Sequence, residues 1–175
     1  MLTLRIGIIP RLFNSFALFM RNIGSKKMGK TKANNNIPDN SIELNENGLL
    51  KLYCSNNHGT SFREVSVGLR NSGKNSNDRR IDVVRIENDT NEKVYKYSTN
   101  KDPFMNLVKT DKYNIELVEI KKKLNRGVIG QIIVGEYLFK KKFKVNNITK
   151  AIVYHIGDSL LEEFCKENKI KLIQY

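Results

Sequence analysis

The chain has 175 residues, 39% of them hydrophobic, and its 31 Lys and Arg outweigh 18 Asp and Glu to give a net charge of +13. That is the length of one domain with a core of its own, with room for an appendage. Cys54, Cys165, His58 and His155 are far apart and match no metal or redox spacing, which excludes a disulfide framework and a zinc site and favours a reducing, cytoplasmic setting. The excess charge is uneven: residues 1–38 hold 7 basic and no acidic groups, and 109–150 hold 11 basic against 4 acidic. Such a surface points to a polyanion, most often nucleic acid, with a generically basic protein as the plain alternative.

Residues 1–40 read as a basic arm and linker ahead of a domain at 41–175. Leu2 to Met20 is apolar but broken by Arg5, Pro10 and Arg11, and its longest charge-free run, Leu12 to Met20, is nine residues. A bilayer span needs about 20, so no stable membrane insertion is expected. A start at Met28 is an equal reading of this end. Gly29 to Asn40 is polar linker and holds no phosphate loop despite its Gly-Lys-Thr.

Ser41 to Leu52 leads in as a short strand or helix. His58 to Arg70 is predicted helical, capped by Thr60 or Ser61, with Phe62, Val65 and Leu69 on one face and Glu64 near its start. Asn71 to Asp78 is loop by composition. Arg80 to Ile86 is a strand that carries Asp82 among Ile81, Val83 and Ile86, with Arg80 and Arg85 beside it. Glu87 to Asn91 turns the chain, and Val94 to Ser98 pairs back as a further strand. Thr99 to Asp111 is a loop around Pro103 or holds a short helix.

Tyr113 to Phe143 is the stretch around which the rest is arranged. Asn114 to Lys121 is a β-prone strand, and alternation sends Glu119 and Lys121 to one face, Val118 and Ile120 to the other. Arg126 and Gly127 mark a turn. From Val128 a helix follows, apolar nearly all round and so expected to be buried, with Gln131 as a buried amide inside it. Ile148 to Ile156 is another strand. Asp158 or Ser159 caps an amphipathic helix with Leu160, Leu161, Phe164 and Cys165 on its buried face, and Lys171 to Tyr175 closes as an edge strand. The fold class is therefore α/β, a mixed sheet with helices on both faces.

Phosphodiester hydrolysis needs a metal-activated water, carboxylates that hold a hard cation, and a second charge at the phosphate. Asp82 and Glu119 on neighbouring strands can supply the carboxylates, Lys121 the charge, and Gln131 can orient Lys121 or the water. Lys122, Lys123, Arg126 and the run Lys140, Lys141 and Lys142 would track phosphates beside them. Asp82, then Glu119-Ile120-Lys121, then Gly130-Gln131 resembles the PD-(D/E)xK nuclease superfamily, the fold of many restriction endonucleases and of archaeal Holliday-junction resolvases. The resemblance covers His58 to Tyr175.

It implies a restriction-endonuclease-like sheet and a metal-dependent deoxyribonuclease, an endonuclease acting on DNA with Mg2+ (Mn2+ as a substitute), and a homodimer. It also implies metal ligation by Asp82, Glu119 and the main-chain carbonyl of Ile120. An acidic residue of the first core helix often joins them there, a position that Glu64 fills by sequence. The alternatives are a non-catalytic DNA-binding protein on the same fold, a structure-specific resolvase, or a ribonuclease. Each residue also has a structural reading. Asp82 could pair with Arg80 or Arg126, Glu119 and Lys121 could be an ion pair on a wet strand face, Gln131 could satisfy a backbone group, and Glu64 could be solvated.

Overall fold

The computed structural model describes residues 44–68, 79–87, 93–110 and 112–175. The readings made for residues 1–40 and for the loop at 71–78 lie outside them. Along the chain run α1 (Glu46–Asn56), β1 (Thr60–Ser66), β2 (Arg80–Glu87), β3 (Lys93–Lys96), a 3-10 turn at Tyr97–Thr99, α2 (Lys101–Lys109), β4 (Asn114–Lys123), α3 (Arg126–Phe143), β5 (Ile148–Ile156), α4 (Ser159–Glu167) and β6 (Ile170–Gln174). The strands form one six-stranded sheet in the order β3-β1-β2-β4-β5-β6. β2 lies antiparallel between β1 and β4, while β3, β5 and β6 join parallel to their neighbours.

β4 sits inside the sheet and alternates as expected. On one face Val118 and Ile120 join Val83, Ala151 and Val153 in a cluster with Leu49, Leu50 and Tyr53 of α1. Those three fall at one side of a helix that Asn45 caps by accepting the Gly48 N–H at 2.9 Å. The opposite face carries α3. A Cβ placed on Gly135 would lie 3.5 Å from Ile81 and 3.9 Å from Glu119. Farther along α3, Phe139 and Phe143 pack on Phe104 of α2, which meets Phe62 of β1 edge-on at 5.0 Å. α4 belongs to the same face as α3, since Glu162 accepts from Tyr154, and Tyr154 alternates with the α1-facing Val153. The sheet thus has helices on both faces.

Two elements differ from the sequence reading. His58 to Arg70 was expected to be helical, yet 60–66 is strand β1. Phe62 and Val65 satisfy a helical spacing, but Thr60, Val65 and Val67 favour a strand, and pairing with β2 on one side and β3 on the other decides the matter. Among the described residues the first helix lies earlier, at α1. The strand expected at Val94 to Ser98 is β3, ending at Lys96. It runs parallel to β1 at the sheet edge, with Phe62 beside Tyr95.

Gly59 starts β1 with φ of +116°, and a Cβ there would stand 2.4 Å from the Ile86 carbonyl oxygen. Gly59→Ala is expected to lower stability by about 2–3 kcal/mol through backbone strain and steric overlap. A denaturant melt reads this directly, and an unchanged midpoint would mean the turn can rearrange.

Candidate active site

The β2–β4 register sets Val83 opposite Val118 and Arg85 opposite Glu116. The pairing ends at Val83 and Val118, and just beyond it the Asp82 carboxylate hydrogen-bonds Glu119, which lies against Gly135 of α3. Glu119 is 6% exposed. Its carboxyl is pushed up to about 9, first by burial and then by the Asp82 charge and a hydrogen bond to it. Burial raises Asp82 as well, even though the Ile120 N–H donates to its Oδ2 at 2.8 Å. Two carboxyls crowded in a dry place cannot both ionise, so they share a proton, which protonated Glu119 donates to Asp82. Arg79 and Lys121 pull Glu119 down without outweighing these causes.

Lys121 ends the motif at the rim. Its Nζ is 2.8 Å from Glu46 Oε1 of α1, and that bond chiefly raises the ammonium above its ordinary value. Neither Glu119 nor Lys121 therefore spends its charge on the other as a simple wet ion pair. Residues 41–52 read equally as strand or helix, so that reading does not place Glu46. The signal was there in Asn45 as a cap, Glu46 in the first turn, and Leu49, Leu50 and Tyr53 at helical spacing. The field of Glu46 reaches Asp82 and raises it.

Glu64 is not in a helix but on β1, level with Asp82 in a register that pairs Arg63 with Val83 and Val65 with Ile81. Its backbone is left-handed, φ 56°. Its half-exposed carboxylate faces Arg80 at 3.6 Å. Gln131 is exposed rather than buried: the buried face of α3 is Val128, Ile129, Ile132, Gly135 and Phe139, and position 131 turns away from it. Arg126 and Gly127 are the first turn of α3 rather than a preceding turn, because Asn125 caps the helix by accepting the Val128 N–H at 3.0 Å.

The basic residues divide into two groups. Lys122, Lys123 and Arg126 sit where β4 ends and α3 begins, at the end of the sheet that holds the carboxyl pair. In the other run, Lys140 binds Glu136 at 2.6 Å and Lys142 donates to the Ser66 carbonyl at 2.7 Å, so both brace the fold. Lys141 is exposed.

The donors gathered here are hard oxygens. Asp82 and Glu119 offer carboxylates, and Ile120 offers a carbonyl that an extended residue projects to the same strand edge as its N–H, toward Asp82. This set fits Mg2+ or Mn2+ chemically, and a cation would relieve the repulsion that now retains a proton. Among the described residues no group of three or more His, Cys, Asp or Glu stands close enough to hold a metal, so any cation here relies on the pair and the main chain, with Glu46 nearby. A groove of about 840 Å³ beside α4 and β6, lined by Tyr154, Glu162, Lys166, Lys171 and Leu172 among others, contains none of these residues. Among the described residues no helix is long and apolar enough to cross a membrane.

No protein-family model, no curated protein and no solved structure matches the chain.

Proposed function

We propose that the chain is a Mg2+-dependent deoxyribonuclease, an endonuclease on a restriction-endonuclease-like scaffold. The observation that carries this reading is the pair of carboxyls, buried Glu119 and half-buried Asp82, hydrogen-bonded to each other on adjacent inner strands. A stable core has no use for such a pair, and perturbed acids at one sheet end are a mark of functional sites. The left-handed backbone of Glu64 beside them adds strain at the same place.

In this reading Asp82, Glu119 and the Ile120 carbonyl hold the cation. The helix-borne acid that the resemblance calls for is Glu46, which lies on the first helix and next to Lys121, rather than Glu64. The cation when bound supplies a water of lowered pKa and offsets phosphate charge. Lys121 places an ammonium at the rim of the site, where it offsets the charge that develops on a phosphate oxygen. Burial of Glu119 and the packing of Gly135 over it keep bulk water from the carboxyls. Lys122, Lys123 and Arg126 bind flanking phosphates. DNA as substrate and a homodimer belong to this proposal through the resemblance.

The test is plasmid and linear-duplex cleavage with and without Mg2+ for the parent, Asp82→Ala, Glu119→Ala and Lys121→Ala. The parent should cut only with metal, the two carboxylate variants should not cut, and Lys121→Ala should be slower by about 10²–10³ with its melting temperature kept. If all three variants cut like the parent, the assignment is wrong. A parent that binds DNA but never cuts it would make the protein a binder on this fold, and cleavage of RNA alone would make it a ribonuclease.

A further inference from the structure

The β2–β4 pairing does more than unite two carboxyls. β2 and β4 pair from Glu87 opposite Asn114 to Val83 opposite Val118, and beyond that rung the start of β2 and the end of β4 run on to one end of the sheet. The start of β2 and the end of β4 therefore place Arg79, Arg80, Lys121, Lys122 and Lys123 at one sheet end. Arg80 pairs with Glu64 and Lys121 with Glu46. Arg79 differs. Its carbonyl accepts from the Val67 N–H at 2.8 Å and from the Gly68 N–H at 3.3 Å, which fixes its backbone to the end of β1. Its side chain is exposed, and its guanidinium makes no hydrogen bond or ion pair with any described residue. Its charge is nevertheless felt at Glu119. An arginine anchored by its main chain, open at its head and beside a buried carboxyl pair is pre-organised for an anion.

We infer that Arg79 is a phosphate-binding residue of this site, gripping a backbone phosphate of the nucleic acid next to the one held at Asp82 and Glu119. The inference rests on the nuclease reading for its place in the reaction, but the contact itself is a binding property that can be measured alone. The guanidinium fork suits two oxygens of one phosphate. Lys122, near the end of the adjoining strand, supplies a second positive group at this end of the sheet. The ligand class is a phosphodiester backbone rather than a free base, since Arg79, Arg80, Lys122 and Lys123 bring positive charge to this end of the sheet.

The experiment measures binding of a labelled 20-base-pair duplex in metal-free buffer across a salt series, for the parent, Arg79→Gln and Arg79→Lys, with melting temperatures as control. Arg79→Gln should bind about 10- to 100-fold more weakly at low salt. The slope of log affinity against log salt should become shallower by about one unit. Arg79→Lys should recover the slope and only part of the affinity, because a point charge replaces a fork. Equal slopes and affinities for parent and Arg79→Gln would overturn the inference, as would a loss of affinity that simply follows a loss of melting temperature. Should the parent bind DNA with this Arg79 dependence and fail to cut it with Mg2+, the nuclease reading falls and the phosphate contact stands. Where the parent does cut, Arg79→Gln should raise KM by a similar factor and leave kcat within about threefold.

Discussion

Glu119→Gln is expected to melt well above the parent at pH 8 and no higher than the parent at pH 4. The Glu119 carboxyl has an ordinary value of 4.5 and stands at about 9 in the folded protein. Between those values the folded state keeps a proton that the unfolded chain releases. Stability is then greatest below 4.5, falls as pH rises through the window, and has lost its full share above 9. Glutamine cannot titrate, and its amide can still donate to Asp82, so the variant escapes the penalty. At pH 8 the gain should be on the order of a few kcal/mol. Thermal melts of both proteins at pH 4, 6 and 8 in chelator check this, and superimposable curves at pH 8 would show that Glu119 ionises normally. In a separate titration without chelator, Mg2+ should bind the parent more tightly as pH rises, because binding must displace the shared proton.

The second large effect lies on the other face of the same strands. Arg85 is 6% exposed and Glu116 is 2% exposed. Arg85 donates through Nε to Glu116 Oε2 at 2.9 Å, through Nη1 to the His58 carbonyl at 2.8 Å, and through Nη2 to Glu87 at 2.6 Å. The Tyr53 hydroxyl also donates to Glu116, and Lys171 approaches it at 3.2 Å. Burial alone would raise Glu116, but Tyr53, Arg85 and Lys171 outweigh it and hold the carboxyl below its usual range. Arg85→Ala removes the main compensating charge and leaves a carboxylate in the core, which should cost about 3–5 kcal/mol. Tyr53→Phe removes the hydroxyl that donates to Glu116 and accepts from Arg85 Nε at 3.0 Å, and should cost about 1–2 kcal/mol. Glu116 contributes stability above pH 4.5 that is lost as pH falls through its depressed folded value, so the gap between parent and Arg85→Ala should close in acid. Denaturant melts at pH 7 and pH 3 separate these cases, and an Arg85→Ala midpoint within 1 kcal/mol of the parent would refute the account.

The pieces that depend on short-range pattern were readable in the chain. β4 and β5 announce themselves by alternation and β-branched content, and α4 by Asp158 as cap and by Leu161, Phe164 and Cys165 at helical spacing, although Leu160, expected on the same face, is 59% exposed. Asp82 and Glu119 could be assigned to strands, and their meeting then required only that β2 and β4 be neighbours. What was not readable depends on pairing or on surroundings. The spacing of Phe62 and Val65 suits both a helix and β1, and only β2 and β3 decide between them. The partner of β3 is set by the sheet, not by its four residues. Gln131 looked buried because its neighbours Ile132, Ile133 and Val134 are apolar, yet α3 rests on the sheet along one stripe and leaves position 131 in solvent. The misplaced first helix then carried Glu64 into a role for which Glu46 has the right element.

β2 and β4 each carry two polar residues three positions apart, and three positions in a strand is a change of face. Arg85 and Glu116 face α1, whereas Glu119 faces α3 and hydrogen-bonds Asp82. The first couple is electrically complete within the protein. The second is not, and the molecule must borrow a positive charge from its surroundings, whether a proton or a cation, to fold over it. One pair of strands thus holds a closed charge pair on one side and an open one on the other, so the composition of the solution reaches the centre of the sheet on one face only.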